Sequence, residues 1–408
     1  MNLSEISVQP RLLVLTPRYP YPVVGGDRLR IYQVCKELAK RYRLTLLSLC
    51  DSKAEMLMPE SDDGVFTNIH RVFLPKWRSQ LNVLLALPTG TPLQVAYYRS
   101  SEFRTLLNEL LPQHDLCLAH LIRTGDYVRS LSQIPTVLEM TDAISLNYER
   151  VKSRGGKKTF KEWVYSIEAS RLLEYERKVI NDFTLVTLVS STDRDFLLEG
   201  RTSDKVLVCS NGVDLRDFPY SKRHDSKPVI AYIGNMMSVQ NMDACVYFAE
   251  QVMPLVCKEI NAVFRVVGKI SDSDAHRLRA YANVEVTGAV DNVADAVSDA
   301  RVGVCPVRLA AGVQNKVLEY MALGLPVVTS SIGLEGFSAI PDRDLLVADD
   351  PKEFVDVLKQ IWCRNDWALQ IAENGRRYVE QKHEWGSQLS CLVSRVSHLL
   401  QQRAVVEG

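Results

Sequence analysis

Residues 299–337, DARVGVCPVRLAAGVQNKVLEYMALGLPVVTSSIGLEGF, are the stretch of the sequence that predicts the fold. The apolar run over 302–307 is rich in valine, which is typical of a buried parallel strand. A turn of small residues follows, and then a helical pattern over about 314–323 that ends at Gly324. A second apolar run covers 326–330. Strand, glycine turn, helix and strand together predict an open parallel α/β sheet, in which ligands bind beyond the carboxyl ends of the strands.

Two charged residues of this helical pattern, Lys316 and Glu319, are one turn apart and lie away from its apolar stripe. Helix geometry alone leaves two alternatives open. One is a surface ion pair. The other is a ligand site, in which Lys316 faces a phosphate near the helix N-terminus and Glu319 accepts hydrogen bonds from a ribose diol.

The composition describes an ordinary globular protein that is long enough for two domains. The chain has 408 residues, of which 46% are hydrophobic and 24% charged, and its 49 basic residues equal its 49 acidic ones. A balanced charge argues against a nucleic-acid partner. The nine cysteines are scattered singly, which favours reduced thiols over a disulfide framework or a zinc site. The start of the sequence does not look like a signal peptide, and no run is apolar enough for a membrane span, so we expect a cytoplasmic protein.

Apolar runs alternate with helical patterns along the whole chain, which indicates stacked βαβ units. The polar stretch over 219–227 is the predicted linker between two such domains, and 367–402 is predicted to be helical throughout. The predicted strands are 12–16, 44–49, 72–74, 116–120, 136–140, 185–189, 206–209, 229–233, 263–267, 284–287, 302–307, 327–329 and 345–347.

The run GVQNKVLEYMALGLPVVTSSIGLEGF over 312–337 resembles the donor-nucleotide motif of family 4 glycosyltransferases. These are retaining enzymes of the GT-B fold, in which two Rossmann-like domains face a cleft. Gly312 to Glu319 matches the G-x-Q-N-K-V-L-E form of a subgroup found with polysaccharide gene clusters. The resemblance implies an acceptor domain over 1–222, a nucleotide-sugar donor domain over 223–385, and a C-terminal helix over 386–408 that packs back on the first domain.

The resemblance also implies a donor site around this motif. Glu319 falls on the family glutamate that contacts the nucleotide ribose, and Lys316 would face the diphosphate. The other glutamate of the family motif, near the donor sugar, falls at Ala311 and is missing. The implied donor-binding residues of the motif are Gly312, Val313, Gln314, Asn315, Lys316 and Glu319.

A second departure from the family pattern follows the first strand of the second domain. Family members carry Gly-Arg there and a lysine a few residues on, two cations that neutralise the diphosphate. This chain has Gly234-Asn235 and no nearby cation. We therefore list Asn235 as a donor contact and expect Arg308 and Lys316 to supply the missing charge.

Three positions of the first domain are further candidates. Gly25 and Gly26 precede a helical pattern and could bring backbone N–H groups close to a ligand, although the spacing is not G-x-G-x-x-G and a loop stiffened by prolines is the alternative. His120 ends a predicted strand. Taken alone it is more often a hydrogen-bonded bystander, but the resemblance places a histidine near the donor sugar. His120 is thus predicted to be catalytic together with Glu319 and Lys316.

The acceptor-binding residues are predicted from charge and position. Arg123 follows His120 and could meet a phosphate. Glu139 and Asp142 are paired carboxylates that could serve as base for an acceptor hydroxyl, or Asp142 could instead be the N-cap of the next helix. Lys157 and Lys158 belong to a basic run over 152–161.

The stretch over 76–87 is a further candidate for acceptor contact. Lys76-Trp77-Arg78 precedes an apolar segment over 81–87. Both this stretch and the basic run fit contact with anionic lipid headgroups or a lipid-diphosphate acceptor. A solvated loop and a core helix are the alternatives.

The sequence therefore predicts a retaining hexosyltransferase that uses a UDP- or GDP-sugar as donor substrate and needs no cofactor or metal. We recognise no D-x-D metal motif and set Asp349-Asp350 aside because the pair lies in a late loop. The partners would be a nucleotide sugar and a glycan or lipid-linked acceptor, with peripheral contact to the inner face of the membrane and no nucleic acid. Two rivals are an epimerase or hydrolase of the same fold and a noncatalytic binding or scaffold member.

Overall fold

The computed structural model describes residues 9–129, 131–153, 160–222, 228–309 and 312–407. The chain forms two compact units. The first contains residues up to Cys209 together with those from Leu389 onward, and the second spans Ser210–Gln388. Each unit is built on one parallel sheet with helices between successive strands, so the predicted class of two Rossmann-like α/β domains is confirmed.

The first domain has a seven-stranded sheet of order β3-β2-β1-β4-β5-β6-β7. The order reverses between β1 and β4, which makes their carboxyl ends the switch point where α/β proteins bind ligands. The strands are β1 Arg11–Thr16, β2 Arg43–Cys50, β3 Asn68–Phe73, β4 Leu116–His120, β5 Thr136–Thr141, β6 Leu185–Leu188 and β7 Val206–Val208.

Helices cover this sheet, whose central strands are buried along nearly their whole length. The helices are α1 Gly26–Ala39, α2 Lys53–Leu57, α3 Lys76–Ala86, α4 Leu93–Tyr97, α5 Ser101–Leu110, α6 Leu121–Gly125, α7 Ile144–Ser153, α8 Phe160–Asp182 and α9 Ser191–Leu198, with a 3₁₀ turn over Leu111–Gln113.

The second domain has a six-stranded sheet of order β10-β9-β8-β11-β12-β13, with its switch point between β8 and β11. The strands are β8 Val229–Ile233, β9 Val263–Val267, β10 Val284–Gly288, β11 Val302–Cys305, β12 Val327–Thr329 and β13 Leu346–Val347. The helices are α10 Val239–Tyr247, α11 Met253–Glu259, α12 Asp272–Arg279, α13 Val293–Ala296, α14 Asn315–Ala322, α15 Ser331–Leu334, α16 Pro351–Cys363, α17 Asn365–Lys382 and α18 Trp385–Glu407, and a π-helical turn over Phe248–Val252 joins α10 to α11.

Every predicted strand overlaps an observed one, and two of them differ from the prediction by two residues or more at one end. β3 begins at Asn68, four residues before its predicted start, because it is an edge strand with polar residues and lacks a continuous apolar run. β11 ends at Cys305, where the prediction extended it to residue 307. The next residue, Pro306, has no N–H group to continue the ladder.

The predicted continuous helix over 367–402 is interrupted between α17 and α18. His383 is buried at the break, where its Nδ1 lies 2.8 Å from the Asn211 carbonyl and its Nε2 lies 2.9 Å from the Tyr378 hydroxyl. Val213 pairs with Glu384 in an isolated bridge. The chain leaves the helix here because its backbone pairs with the 211–213 segment instead.

The observed division between the units lies at residues 209 and 210, upstream of the predicted boundary at 222. The segment after residue 209 packs within the second domain. Besides the contacts of Asn211, the Arg376 guanidinium donates to the Phe218 carbonyl at 3.2 Å. The ring of Tyr220 lies so close to Gly324 that a Cβ there would come within 2.6 Å of it.

The second boundary between the two units lies within α18, whose residues from Leu389 on belong to the first domain. Tyr42 and Ser397 share a hydrogen bond of 2.6 Å, and Arg403 donates to the Asp115 carbonyl at 2.9 Å. The predicted start of this C-terminal segment was residue 386.

Candidate functional site

The switch point of the second domain is formed by the turn after β8 and the loop between β11 and α14. The turn after β8 is packed tightly against the turn after β9. Gly268 has a φ of 130°, and a Cβ at that position would lie 2.0 Å from the Gly234 carbonyl oxygen. Only glycine permits this approach, because it has no Cβ. The backbone at these strand ends is therefore accessible to a ligand.

Helix α14 starts at this switch point because the loop before it turns sharply at Gly312, whose φ is 67°. The N-cap residue Gln314 makes no side-chain capping bond, so the first N–H groups of the helix are left for other acceptors. The helix ends at Ala322, and the C-cap residue Leu323 is followed by Gly324 with a φ of 73°. An uncapped helix N-terminus at a switch point suits an anion.

The buried face of α14 packs directly on β11. Tyr320 is fully buried, and its hydroxyl accepts a hydrogen bond of 2.7 Å from the Ile233 N–H. Its ring occupies the space above Gly303, where a Cβ would come within 2.4 Å of it. This packing fixes the rotation of α14 and therefore the direction of Lys316 and Glu319.

Lys316 is a buried cation, only 7% exposed. Its Nζ donates to the Asn241 side-chain oxygen at 3.0 Å and to that of Gln314 at 3.5 Å, and it lies 5.2 Å from the centre of the Tyr232 ring. Within the described residues no carboxylate lies at ion-pair distance from it. A buried ammonium group surrounded by neutral acceptors is costly unless an anion compensates it.

Glu319 lies one turn further along and is half-buried. Its carboxylate makes no hydrogen bond or ion pair with any residue that the structure describes. Burial raises the pKa of Glu319 to about 7, and the nearby Lys316 charge only partly offsets this effect. The alternative of a surface ion pair between Lys316 and Glu319 is therefore wrong. Both side chains remain available to a ligand.

Asn241 and Tyr232 hold Lys316 in place, and sequence reasoning missed both. The Asn241 side-chain oxygen accepts from the Tyr232 hydroxyl at 2.9 Å as well as from Lys316, and its amide donates to the Asn235 carbonyl at 2.9 Å. No spacing signal connects these residues, because they come from β8 and α10 and meet only in the folded domain.

Asn235 and Arg308 make side-chain contacts within the protein, whereas both were predicted to bind the donor. The Asn235 side chain accepts from the Met237 N–H at 3.1 Å and so shapes its own turn. Arg308 forms a bidentate ion pair with Asp243, at 2.7 and 3.1 Å, and its guanidinium lies 4.3 Å from the centre of the Tyr247 ring. Its charge is already compensated, so the prediction that Arg308 replaces a missing cation is not supported.

The remaining motif residues surround the start of α14. Val313 is buried, and Asn315 accepts a hydrogen bond of 2.8 Å from the Asn211 amide. Asn211 thus connects the start of the second domain to the motif. Ala311, where the family has its other glutamate, lies outside the described residues.

In the first domain, His120 belongs to a buried cluster at the end of β4. Its Nδ1 lies 2.6 Å from Glu139 Oε2, and Arg30 Nε donates to Glu139 Oε1 at 3.0 Å. The Arg30 and Glu139 side chains are fully buried. Burial by itself raises the pKa of Glu139, but the Arg30 charge and the His120 hydrogen bond outweigh it and bring the pKa to about 2.

This cluster assigns different roles to two predicted residues. Glu139 is ionised and fully engaged, which argues against a role as base for an acceptor hydroxyl. Its carboxylate instead orients the His120 ring, as carboxylates do for catalytic histidines. His120 Nε2 has no hydrogen-bond partner in the described part of the chain, so it is the ring atom that can contact a substrate.

The alternative of Asp142 as an N-cap is wrong. Other carboxylates bond the N–H groups at the start of α7. Glu176 accepts from Ile144 at 2.9 Å and from Ser145 at 3.2 Å, and Asp193 accepts from the preceding Ala143 at 3.0 Å. Burial and the Asp193 charge raise the pKa of Asp142 to about 7. A carboxyl group that titrates near neutrality can act as a general base.

Arg123 borders a cavity of about 380 Å³ within the first domain. Its guanidinium lies 5.3 Å from the centre of the Tyr98 ring and bonds the Gln94 side chain at 3.3 Å. The cavity lining includes Arg18, Val83, Gln94, Tyr98, Arg123 and Tyr148. The lining also contains two acids, Asp51 and Glu168, and the Glu168 carboxylate already accepts from the Leu93 and Gln94 N–H groups. Arginine side chains among aromatic and apolar ones suit an amphiphilic anion. Lys157 and Lys158, predicted to bind the same acceptor, lie outside the described residues.

Gly25 and Gly26 form the start of α1 at the switch point of the first domain. Gly25 has a φ of 100° and is the N-cap, and Gly26 is the first helical residue. The helix has no side-chain cap, so its first N–H groups are available beside the end of β1.

Three D-x-D tripeptides are present at 193–195, 272–274 and 342–344, and none was predicted to bind a metal. In each, one aspartate accepts a hydrogen bond within its own domain. Asp193 accepts from the Ala143 N–H, Asp274 from the Ser271 hydroxyl at 2.7 Å, and Asp344 from the Ile340 N–H at 2.9 Å. Asp349 accepts from the Ser331 N–H at 2.7 Å. Among the described residues, no group of three or more His, Cys, Asp or Glu side chains is arranged to hold a metal ion.

None of the helices within the described ranges is both long and apolar enough to cross a membrane.

Comparisons with known proteins give one family model and one relative of nearly full length. Residues 227–364 match the model of the family described as Glycosyl transferases group 1. Over 400 residues the chain is 22% identical to an uncharacterized 44.6 kDa protein in the cps region of Klebsiella pneumoniae, covering 92% of this chain and 96% of that protein.

Two solved structures share the fold over nearly their whole length. Sucrose-phosphate synthase from Thermosynechococcus elongatus is 15% identical with a TM-score of 0.72, covering 97% of this chain and 100% of that one. HepE from Anabaena, in complex with UDP and glucose, is 12% identical with a TM-score of 0.68, covering 95% and 100%. The protein therefore has the GT-B fold, and residues 227–364 of its second domain match the Glycosyl transferases group 1 model.

Proposed function

We propose that the protein is a retaining, metal-independent glycosyltransferase. It moves a sugar from a nucleoside-diphosphate sugar to a glycan or lipid-linked acceptor. The observation that carries the proposal is the pair of uncompensated charges on α14, the buried Lys316 ammonium and the Glu319 carboxylate, at the switch point of the second domain.

Each charge matches one part of a nucleotide sugar. The Glu319 carboxylate can accept hydrogen bonds from both hydroxyls of a ribose. Lys316 and the uncapped N–H groups of α14 can bind the diphosphate and stabilise the charge that develops on it as it leaves. Lys316 and the helix dipole thus supply the positive charge that a metal ion provides in other transferases.

Residues of the first domain bind the acceptor and act on the sugar that is transferred. In the transfer, the bond from the sugar C1 to the diphosphate oxygen breaks and a bond from C1 to the acceptor oxygen forms on the same face. His120 Nε2, oriented by Glu139, contacts the donor sugar. Asp142 takes the proton of the acceptor hydroxyl, since its pKa of about 7 suits that task. Arg123 faces the acceptor from the cavity.

The relatives support the donor and the biological role. Two further HepE structures contain UDP and UDP-glucose, so a UDP-sugar is the first donor to test. The Klebsiella relative lies in a cps region, which supports a part in polysaccharide assembly.

The test is calorimetric binding of UDP, GDP and ADP to the whole protein and to Glu319→Ala. We expect one nucleotide to bind, and the substitution to weaken it by about 1.5–3 kcal/mol because hydrogen bonds to a charged group are lost. Lys316→Met should weaken the same nucleotide and flatten the salt dependence of its affinity. The matched control is Glu250→Ala, an exposed glutamate of the same domain, which should leave binding unchanged.

Turnover then separates the alternatives. Sugar transfer that requires an acceptor supports the proposal, and consumption of the donor without acceptor supports an epimerase or hydrolase. If the folded protein binds no nucleotide, the assignment of a donor site to Lys316 and Glu319 is wrong and the noncatalytic alternative is correct. Resistance of transfer to EDTA tests metal independence.

A further inference from the structure

Helix α3 of the first domain has its apolar residues on the outside. Four large side chains on one face are exposed: Trp77 at 66%, Leu81 at 45%, Leu84 at 62% and Leu85 at 67%. They occupy positions i, i+4, i+7 and i+8, which form a single helical stripe. An ordinary surface helix turns such a stripe toward the core.

The opposite side of α3 is the one that packs on the domain. Ser79 and Ala86 are buried, at 1% and 5% exposure. The predicted alternative of a core helix for this segment is therefore wrong. The apolar stripe continues into Leu87, which is also exposed. A contiguous apolar surface of this kind marks an interaction site.

The charge around the stripe identifies the partner. No aspartate or glutamate occurs from residue 64 to residue 101, and the two cations of α3 are Lys76 and Arg78. Lys76 is exposed beside Trp77 at the start of the helix and has no ion pair with any described residue. Leucines with an aromatic ring at the edge and lysine beside it suit the interface of an anionic bilayer, where the rings and ammonium groups sit at headgroup level.

The same helix also borders the cavity that contains Arg123. Val83, on the side of α3 away from the stripe, lines this cavity together with Arg18 and Arg123. A bilayer that receives the stripe would therefore lie one helix diameter, about 10 Å, from two arginines that can bind a phosphate.

We propose that the first domain docks on anionic membranes through the exposed stripe of α3, and that the acceptor of the transfer is a lipid-linked phosphate held in the neighbouring cavity. The second part rests on the proposed glycosyltransferase function. The first part does not.

The test is sedimentation of the full-length protein with vesicles of phosphatidylcholine alone and with 30% phosphatidylglycerol, in low and high salt. We expect binding to the anionic vesicles that weakens as salt rises. Leu84→Ser/Leu85→Ser should lower the partition coefficient at least about tenfold, and Lys76→Gln by about fivefold. The matched control is Ile340→Ser in the second domain, where the side chain is 47% exposed and the change should have no effect.

These variants replace exposed side chains, so their thermal unfolding should match that of the wild type. Tryptophan emission gives a second readout: it should shift to the blue on anionic vesicles, and Trp77→Phe should remove that shift. The inference is overturned if no vesicle binds, or if the double leucine variant binds as the wild type does. It is also overturned if the wild type is a dimer that the variant converts to monomers, because a second copy of the chain then covers the stripe.

The outcomes also separate this inference from the proposed function. If UDP or another nucleotide binds to the second domain while vesicles do not bind, only membrane docking fails. If vesicles bind and nucleotides do not, the docking surface stands and the glycosyltransferase proposal fails.

Discussion

Replacing Arg30 with methionine should strongly destabilise the first domain. The change removes the guanidinium that lies 3.0 Å from Glu139 Oε1 in a pair whose side chains are both fully buried. In the wild type, the Arg30 charge and the His120 hydrogen bond overcome the effect of burial and lower the pKa of Glu139 from 4.5 to about 2. A fall of this size corresponds to about 3 kcal/mol of stability. Leaving one buried charge without its partner costs about 3–5 kcal/mol, so we expect a loss in this range at pH 7.

The pH dependence follows from the direction of the pKa changes. In the wild type, the lowered pKa stabilises the fold fully above pH 4.5, and this contribution is lost as the pH falls toward 2. In Arg30→Met, burial should raise the pKa of Glu139 above its unfolded value. Glu139 then becomes protonated as the pH falls from neutrality, so the difference in stability between variant and wild type should shrink.

The assay is urea unfolding at pH 7 and at pH 5, with the transition of the second domain as an internal reference because the two domains can unfold separately. Arg99→Met is the matched control. Arg99 pairs with Asp126, but its side chain is 48% exposed, so its loss should cost no more than about 1 kcal/mol. Arg30→Met combined with Glu139→Gln should recover much of the loss. A cost for Arg30→Met no larger than that of the control, or one that does not change with pH, would refute the reasoning.

Three further predictions concern separate sites. Nucleotide affinity should fall as the pH drops below about 7, by up to about tenfold per pH unit, because the ribose needs the ionised form of Glu319. Calorimetry across this pH range should show the fall in affinity, and Glu319→Gln should abolish the pH dependence. Gly303→Ala should destabilise the second domain by about 1–3 kcal/mol in urea, since the new Cβ would lie 2.4 Å from the Tyr320 ring, whereas Gly90→Ala, with no atom within 4 Å, should be neutral. Asp142→Asn should lower the rate of transfer by about 100-fold or more and remove the acidic limb of the pH–rate profile, and a profile that keeps this limb would exclude Asp142 as the base.

The sequence by itself determined the order of strands and helices. Buried parallel strands are continuous apolar runs, so the central strands could be located from their letters alone, whereas the start of the edge strand β3 could not. The loop and helix from Gly312 to Glu319 were also identified in the sequence, because a glycine turn and a helix with two charges one turn apart are local features. The predicted helix over 367–402 ran through the break at residue 383. A helical pattern does not reveal that the backbone at this point will pair with the distant 211–213 segment.

Only the tertiary structure decided which of the candidate residues are free to act. Lys316 and Arg308 look equivalent in the sequence. In the structure, Asp243, 65 residues from Arg308, forms an ion pair with Arg308, whereas Lys316 contacts the neutral side chain of Asn241. The sequence likewise showed an apolar segment over 81–87, but not that its side chains form a stripe that faces outward. Helical spacing sets which side chains share a face, whereas the partner of that face depends on elements distant in the chain. Electrostatic compensation and burial are properties of those long-range contacts, and they separate a binding side chain from a structural one.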